Sequence, residues 1–479
     1  MDKNDFVKIS DNLWEIPKSF RRDMRVPARI YADEKLLGES FKDRSLEQLV
    51  NTAMLPGVRK YALAMPDIHE GYGFPIGGVC AMDTLDGVIS PGGVGYDINC
   101  GVRLLRSELT FKDLKPYLED LANRFQRDVP SGLGRGGLLK FHDRELNEIL
   151  NKGMKRLLEL GYAETEDLEC CEAGGSLKEA GADDISSKAK TRGRDQLGTI
   201  GSGNHFLEIG RVEKIFEPET AATFGFFEGQ ITILIHTGSR GLGHQVATDY
   251  IQLMMRVMSK YNIRLPDREL ACVPFNSGEG QKYFRAMSAA ANFAWSNRQL
   301  IAFSARKAWE KILGSSTGSG GKLSLVYDVS HNVAKVERYG KDELVVHRKG
   351  ATRAFGPGHP DIPLKYRDVG QPVLIPGSMG TFSYVLAGMD YAMKEVFGST
   401  AHGSGRAMSR HASLRLCSGQ ALKQELERQG IIIRTGSIKD LAEEAPLAYK
   451  DVDNVVNVVH NAGIAKKVAR LAPLAVIKG

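Results

Sequence analysis

Ile231-Thr-Ile-Leu-Ile-His236, continuing into Thr237-Gly-Ser-Arg-Gly-Leu-Gly243, is the stretch on which the reading of the fold turns. A short run rich in β-branched apolar residues reads as a buried strand, and here it closes on a histidine. The glycine-rich turn that follows leads into apolar spacing of helical period, so a helix is predicted from about His244 to Val257. The same grammar recurs outward along the chain. Leu323–Val329 (LSLVYDV) reads as a strand ending at Ser330-His331-Asn332, and Pro372–Ile375 (PVLI) leads through PGSMG into FSYVLAG. Helices are predicted over 144–160, 283–313 and 406–428, the last starting just after His402-Gly403-Ser404-Gly405. The charged, glycine-bearing stretch 164–195 reads as a solvated loop or insert, and 314–321 (GSSTGSGG) as a flexible surface loop. No internal repeat is evident. Strands and helices alternate irregularly, which places the chain in the α+β class with mixed sheets flanked by helices. A doubly wound α/β sheet is the alternative.

The chain has 479 residues, 42% of them hydrophobic, enough for a large core. At roughly 150 residues per domain the length alone suggests about three units. No linker divides it, so residues 1–479 read as one catalytic domain. The formal charge of +6 permits a phosphate-rich partner without identifying one. The N-terminal MDKNDFVKIS lacks the apolar core of a signal peptide, and no run reaches the ~18 apolar residues of a membrane helix. Cys80, Cys100, Cys170, Cys171, Cys272 and Cys417 form no CxxC pair or spaced framework, which points to a reduced cytoplasm with no membrane partner.

Glycine is the anomaly: 52 residues, clustered in loops. Glycine permits positive φ and close ligand approach, so several such loops suggest a site built from many strand ends. No GxxxxGK[ST] loop occurs, nor a GxGxxG between strand and helix. Asp97-Ile-Asn-Cys100 can present a carboxylate and a thiolate to one point, and His205, His236 and His331 sit at comparable glycine-framed turns or strand ends. Together these five residues would form a mixed thiolate, imidazole and carboxylate metal site, in which the thiolate could bridge two cations. Taken singly, each also reads as an ordinary buried or hydrogen-bonded residue. His402, at the predicted helix start, lies where backbone amides suit an anion. Beside a phosphate its neutral imidazole could act as nucleophile, general acid or plain donor, or it could simply belong to a capping loop. Arg240, Arg406 and Arg410 could pair with phosphate oxygens or be solvated surface charge.

Met65-PDIHEGYGFPIGG, Asp97-INCGVR, Gly201-SGNHFLE, His236-TGSRGLG, Ser330-His331-Asn332, Pro376-GSMG and Ala401-HGSGR resemble, in order, the motifs of the RtcB family of RNA-splicing ligases. The resemblance runs from about Met65 to Lys478. It implies the family's own α+β fold, and Cys100 bridging two manganese ions, with His205 and His236 holding one and Asp97 and His331 the other. It further implies guanine-nucleotide contacts from Asn204, Glu208, Asn332, Pro376, Gly377, Ser378, Met379, Ser383, Gly403, Ser404, Gly405, Tyr449 and Lys478. Ser404 stands where the family loop carries alanine. His402 matches the residue that becomes guanylylated by GTP. The implied sequence of reactions converts an RNA 2′,3′-cyclic phosphate to a 3′-phosphate, moves GMP onto it, and lets a 5′-hydroxyl attack with release of GMP. Such chemistry serves tRNA splicing and RNA repair, and archease is an implied partner.

Asp67 is a candidate for end chemistry near the metals or a turn-capping residue. Lys478 would be a tail lysine were it not preceded by apolar Leu471–Ile477, which could dock as a final strand and bring the ammonium to the nucleotide. Two rival functions remain. A metal-dependent phosphoesterase or nuclease would use the same cluster without GTP. A non-catalytic RNA-binding protein would show clustered basic residues with interleaved aromatics, whereas here the basic residues are dispersed and aromatics make up 8%.

Overall fold

In the computed structural model the described residues are 1–132, 136–137, 139–314 and 321–479. The loop expected over 314–321 therefore lies, apart from its two end residues, outside the described residues.

Two large sheets dominate. The first has seven strands in the order Val7–Ser10, Leu13–Ile16, Ala28–Tyr31, Val58–His69, Ile76–Asp83, Asp342–Lys349 and Asn332–Tyr339. The second runs Ser324–Ser330, Gly101–Thr110, Gln230–Thr237, Phe206–Ile215, Ala465–Lys478, Ser383–Gly388 and Pro372–Ile375, with Ile432–Thr435 added in parallel to Ala465–Lys478. Nearly all pairings are antiparallel, which settles the class as α+β rather than doubly wound. The chain crosses from the second sheet to the first at His331, between the strands ending at Ser330 and starting at Asn332.

Register brings the strand ends together. Gly101 pairs with both Ser330 and Thr237, and Phe206 pairs with both His236 and Lys478. Cys100, His205, His236, His331 and Lys478 thus fall in one row at one end of the second sheet. The predicted docking of Leu471–Ile477 takes the form of a 14-residue strand inside that sheet. Behind it runs a 36-residue helix, Gly278–Leu313, capped by Ser277, whose side chain accepts the Gly280 N–H. Such a cap is worth ~1 kcal/mol. Its alanine-rich middle packs closely, and Trp295 and Trp309 are fully buried.

Several predicted elements take a different form. The 144–160 helix is two, Asp143–Lys152 and Met154–Glu159, broken at Gly153 with φ +59°. The helix after the His236 turn begins at Arg240, not His244. The helix expected over 406–428 is also two, Arg410–Leu416 and Gly419–Arg428, because Ser418 caps a new start by accepting the Ala421 N–H. His402 is therefore not at a helix start; it follows the short strand Ser399–Ala401. The 164–195 stretch is not a solvated loop: it contains the helices Thr165–Glu169 and Ser187–Gly193. Its Asp167 is buried in a bidentate pair with Arg306 at 2.6 and 2.7 Å, and its Glu172 is buried against Lys335. No helix among the described residues is long and apolar enough to cross a membrane.

Candidate metal centre and nucleotide cavity

The strand ends open into a cavity of about 880 Å³. Its floor holds the converging donors. Cys100 Sγ lies 3.3 Å from His205 Nε2 and 3.4 Å from His236 Nε2, and His236 Nε2 lies 3.3 Å from His331 Nε2. His205 Nε2 is 2.8 Å from Asp97 Oδ2. The donors form two groups sharing the thiol: Cys100, His236 and His331, and Asp97, Cys100 and His205. These groups differ from the pairing that the family resemblance implies. His205 Nε2 lies with Asp97, and His236 Nε2 with His331.

The donor set fits cations. Burial pushes His236 and His331 well below the usual imidazole range, so both are neutral with lone pairs available. Two Nε2 atoms facing each other at 3.3 Å need either one proton between them or a shared electrophile. Both Nδ1 atoms are buried without a hydrogen-bond partner. Burial would raise the Asp97 carboxyl, but His205, first among its partners, holds it at about 2. Burial raises the Cys100 thiol well above its usual range, the opposite of what a ligand needs, and a bound cation reverses that balance. Asp97 also accepts the Ser239 N–H at 3.0 Å. It comes so close to Gly238 that a Cβ there would lie 2.3 Å from its Oδ1.

His402 stands over this floor, its ring centroid 4.8 Å from that of His331. Asp67, fully buried at the end of the Val58–His69 strand, reaches it from behind. Asp67 Oδ2 lies 2.6 Å from His402 Nδ1 and accepts the backbone N–H of His402 at 3.0 Å and of Gly403 at 3.3 Å. Burial alone would raise this carboxyl; His402 and these N–H groups keep it below its usual value. Asp67 is thus neither a turn cap nor a cavity-lining acid. The loop can wrap it because Gly405 takes φ +73°, and a Cβ there would lie 2.2 Å from the Asp67 carbonyl oxygen.

Most of the predicted nucleotide contacts line the cavity: Asn204, Asn332, Pro376, Gly377, Ser378, Met379, Gly403, Ser404, Gly405, Tyr449 and Lys478. Lys478 is buried, donates to the Gly203 carbonyl, and is lowered by burial to about 8. Ser383 and Glu208 are outside the lining. Ser383 Oγ accepts the Gly377 N–H at 3.1 Å and so supports the loop. Glu208 is buried on the neighbouring strand, and burial raises its carboxyl to about 8. Arg240, Arg406 and Arg410 also line the cavity, but the last two are held by Glu444 at 3.2 and 3.1 Å. Glu444 escaped the sequence reading, as did Lys349, Tyr96 and His244, which also line the cavity; His244 stacks on Tyr96 at 4.9 Å. His69 stood inside a quoted motif and was passed over; its place two residues after Asp67 was the available signal.

The fold and this floor define an α+β protein whose strand-end cavity sets a thiol-sharing cluster able to hold metal ions beside a carboxylate-held histidine. Residues 48–479 match the family described as tRNA-splicing ligase RtcB, and the chain belongs to that family. It is 55% identical over 476 residues to the tRNA-splicing ligase RtcB of Archaeoglobus fulgidus, covering 98% of each chain. It is 54% identical over 470 residues to that of Thermococcus kodakarensis, covering 97% of each. The RNA-splicing ligase RtcB of Mycobacterium bovis is 49% identical over 439 residues, 90% of this chain and 100% of its own.

Proposed function

We propose that this protein is a GTP-dependent RNA ligase of tRNA splicing and RNA repair, joining a 2′,3′-cyclic phosphate or 3′-phosphate end to a 5′-hydroxyl end through a guanylate on His402. The observation that carries this reading is the 2.6 Å contact of Asp67 with His402 Nδ1, directly beside the metal floor. A carboxylate there fixes the tautomer: Nδ1 carries the proton and Nε2 keeps its lone pair. His402 Nε2 is then a neutral nucleophile for the α-phosphate of GTP, with pyrophosphate as leaving group. Asp67 is a positioning residue that stabilises positive charge on the ring as the bond forms.

Asp97, Cys100, His205, His236 and His331 would hold two manganese ions, which would supply Lewis-acid stabilisation of charge on phosphate oxygens. Lys478, Tyr449, Asn204, Asn332, Ser404 and the Pro376–Met379 loop would surround the guanine nucleotide, with Glu208 and Ser383 backing that wall. Arg240, Arg406 and Arg410 would meet RNA phosphates. The cytoplasm is the compartment that suits six free cysteines, five of them buried. Archease is the accessory partner this family membership suggests.

The test is joining of a 5′-hydroxyl RNA to an RNA ending in 2′,3′-cyclic phosphate, with manganese and GTP. Joined product with consumption of GTP is expected. Hydrolysis of RNA or phosphate ends without joining, or joining that ignores GTP, contradicts the reading.

A further inference from the structure

His69 ends the Val58–His69 strand, and its side chain lines the same cavity as His402. Its Nδ1 lies 2.8 Å from the backbone carbonyl oxygen of Asp67. A carbonyl can only accept, so Nδ1 must carry the proton and Nε2 must carry the lone pair. Among the described residues that Nε2 has no hydrogen-bond partner, and the side chain is only partly buried.

The other basic groups around His402 are committed. The Nε2 atoms of His205, His236 and His331 converge on Cys100 or on each other. Asp67 Oδ2 accepts from His402 and Gly403. Lys349 donates to the carbonyls of Tyr72 and Phe74. His244 also lines the cavity, but it is exposed and its ring is stacked on Tyr96 at 4.9 Å.

We propose that His69 is the general base of the sealing step, an inference that rests on the ligase reading above and gives the 5′-hydroxyl its proton acceptor. The 5′-hydroxyl oxygen bonds to the phosphorus of the RNA 3′-phosphate. The bond from that phosphorus to the oxygen shared with GMP breaks, and GMP leaves with the electron pair. The hydroxyl proton passes to His69 Nε2 and then to solvent or departing GMP. Desolvation lowers the imidazole to about 4, so at neutral pH Nε2 carries no proton. Asp67 thus organises two histidines from one point: its carboxylate sets the tautomer of the nucleophile, and its carbonyl sets that of the base.

The two steps separate the test. His69→Asn keeps an amide N–H able to donate to the Asp67 carbonyl and deletes the basic nitrogen. Labelling of His402 by α-labelled GTP should stay within about threefold of wild type, because that step needs no base at His69. Single-turnover joining should slow by about 10²-fold or more, with RNA 3′-guanylate accumulating. His69→Ala should behave alike and regain part of its sealing rate with added imidazole. Sealing by His69→Asn at the wild-type rate overturns the proposal, and so does loss of His402 labelling in step with sealing. Wild-type protein that takes no label at His402 overturns instead the ligase reading beneath it.

Discussion

Two buried polar clusters meet at the start of the Gly101–Thr110 strand, and they are built on opposite principles. In one, Arg103, Arg298 and Asp328 are all fully buried and satisfy one another. Arg298 Nε and Nη2 reach Asp328 at 2.9 to 3.1 Å, and Arg103 Nε reaches it at 2.7 Å. In the other, Cys100, His236 and His331 turn donor atoms toward each other, and two ring nitrogens find no partner. A cluster that closes on itself is structural. One whose lone pairs face each other waits for something positive. The two are linked: Arg298 Nη1 also donates to the carbonyls of Asn99 at 2.8 Å and Thr237 at 2.9 Å, next to Cys100 and His236. The closed cluster holds the open one in place.

The largest effect that would separate them comes from Cys100→Ser. Because one thiolate serves both donor groups, metal content should collapse at both together, while the metal-free protein melts near the wild-type temperature. Metal analysis showing two full equivalents would break the shared-thiol account. Arg298→Met should act the other way round. Removing one member of a buried ion cluster costs about 3–5 kcal/mol, so the melting temperature should fall clearly, with weaker metal uptake following from the loosened loops. An unchanged melting curve would show that the cluster does not bear on stability.

Asp67→Asn is the next in size. The amide cannot accept all three N–H groups as a charged oxygen does, and it favours the wrong tautomer of His402. Labelling by GTP should drop by roughly 10²–10³-fold with little change in melting. Equal labelling would separate Asp67 from the nucleophile.

Glu208→Gln should show its effect only against pH, with little change in labelling. Burial raises the Glu208 carboxyl from 4.5 to about 8, so between these values the folded protein holds a proton that the unfolded chain has lost. Wild-type stability therefore falls as pH rises through that window, and the glutamine variant should lack that fall. Melting curves from about pH 5 to about pH 9 that run parallel would contradict it.

Part of the open cluster was legible because apolar strands stop at His236 and His331, although periodicity alone left each of them open to an ordinary buried reading. What sequence could not supply was partnership across distance. Asp67 and His402 are 335 residues apart, and only the fold brings the carboxylate to the ring. The same blindness made 164–195 look solvated, since the partners that bury Asp167 and Glu172, Arg306 and Lys335, lie far along the chain. It also left the pairing of the donor residues to resemblance, which paired them otherwise than the structure does. Helix limits failed where a local cap overrode periodicity, as at Ser418. Gly153 did the same through its positive φ.

The central claim is that the carboxylate-held His402 carries the guanylate. Protein incubated with manganese and α-labelled GTP, then denatured and resolved by electrophoresis, should retain label that acid removes and mild alkali does not. Peptide mapping should place it at His402, and His402→Ala should take up none. Label persisting in His402→Ala, or mapping elsewhere, would contradict the account.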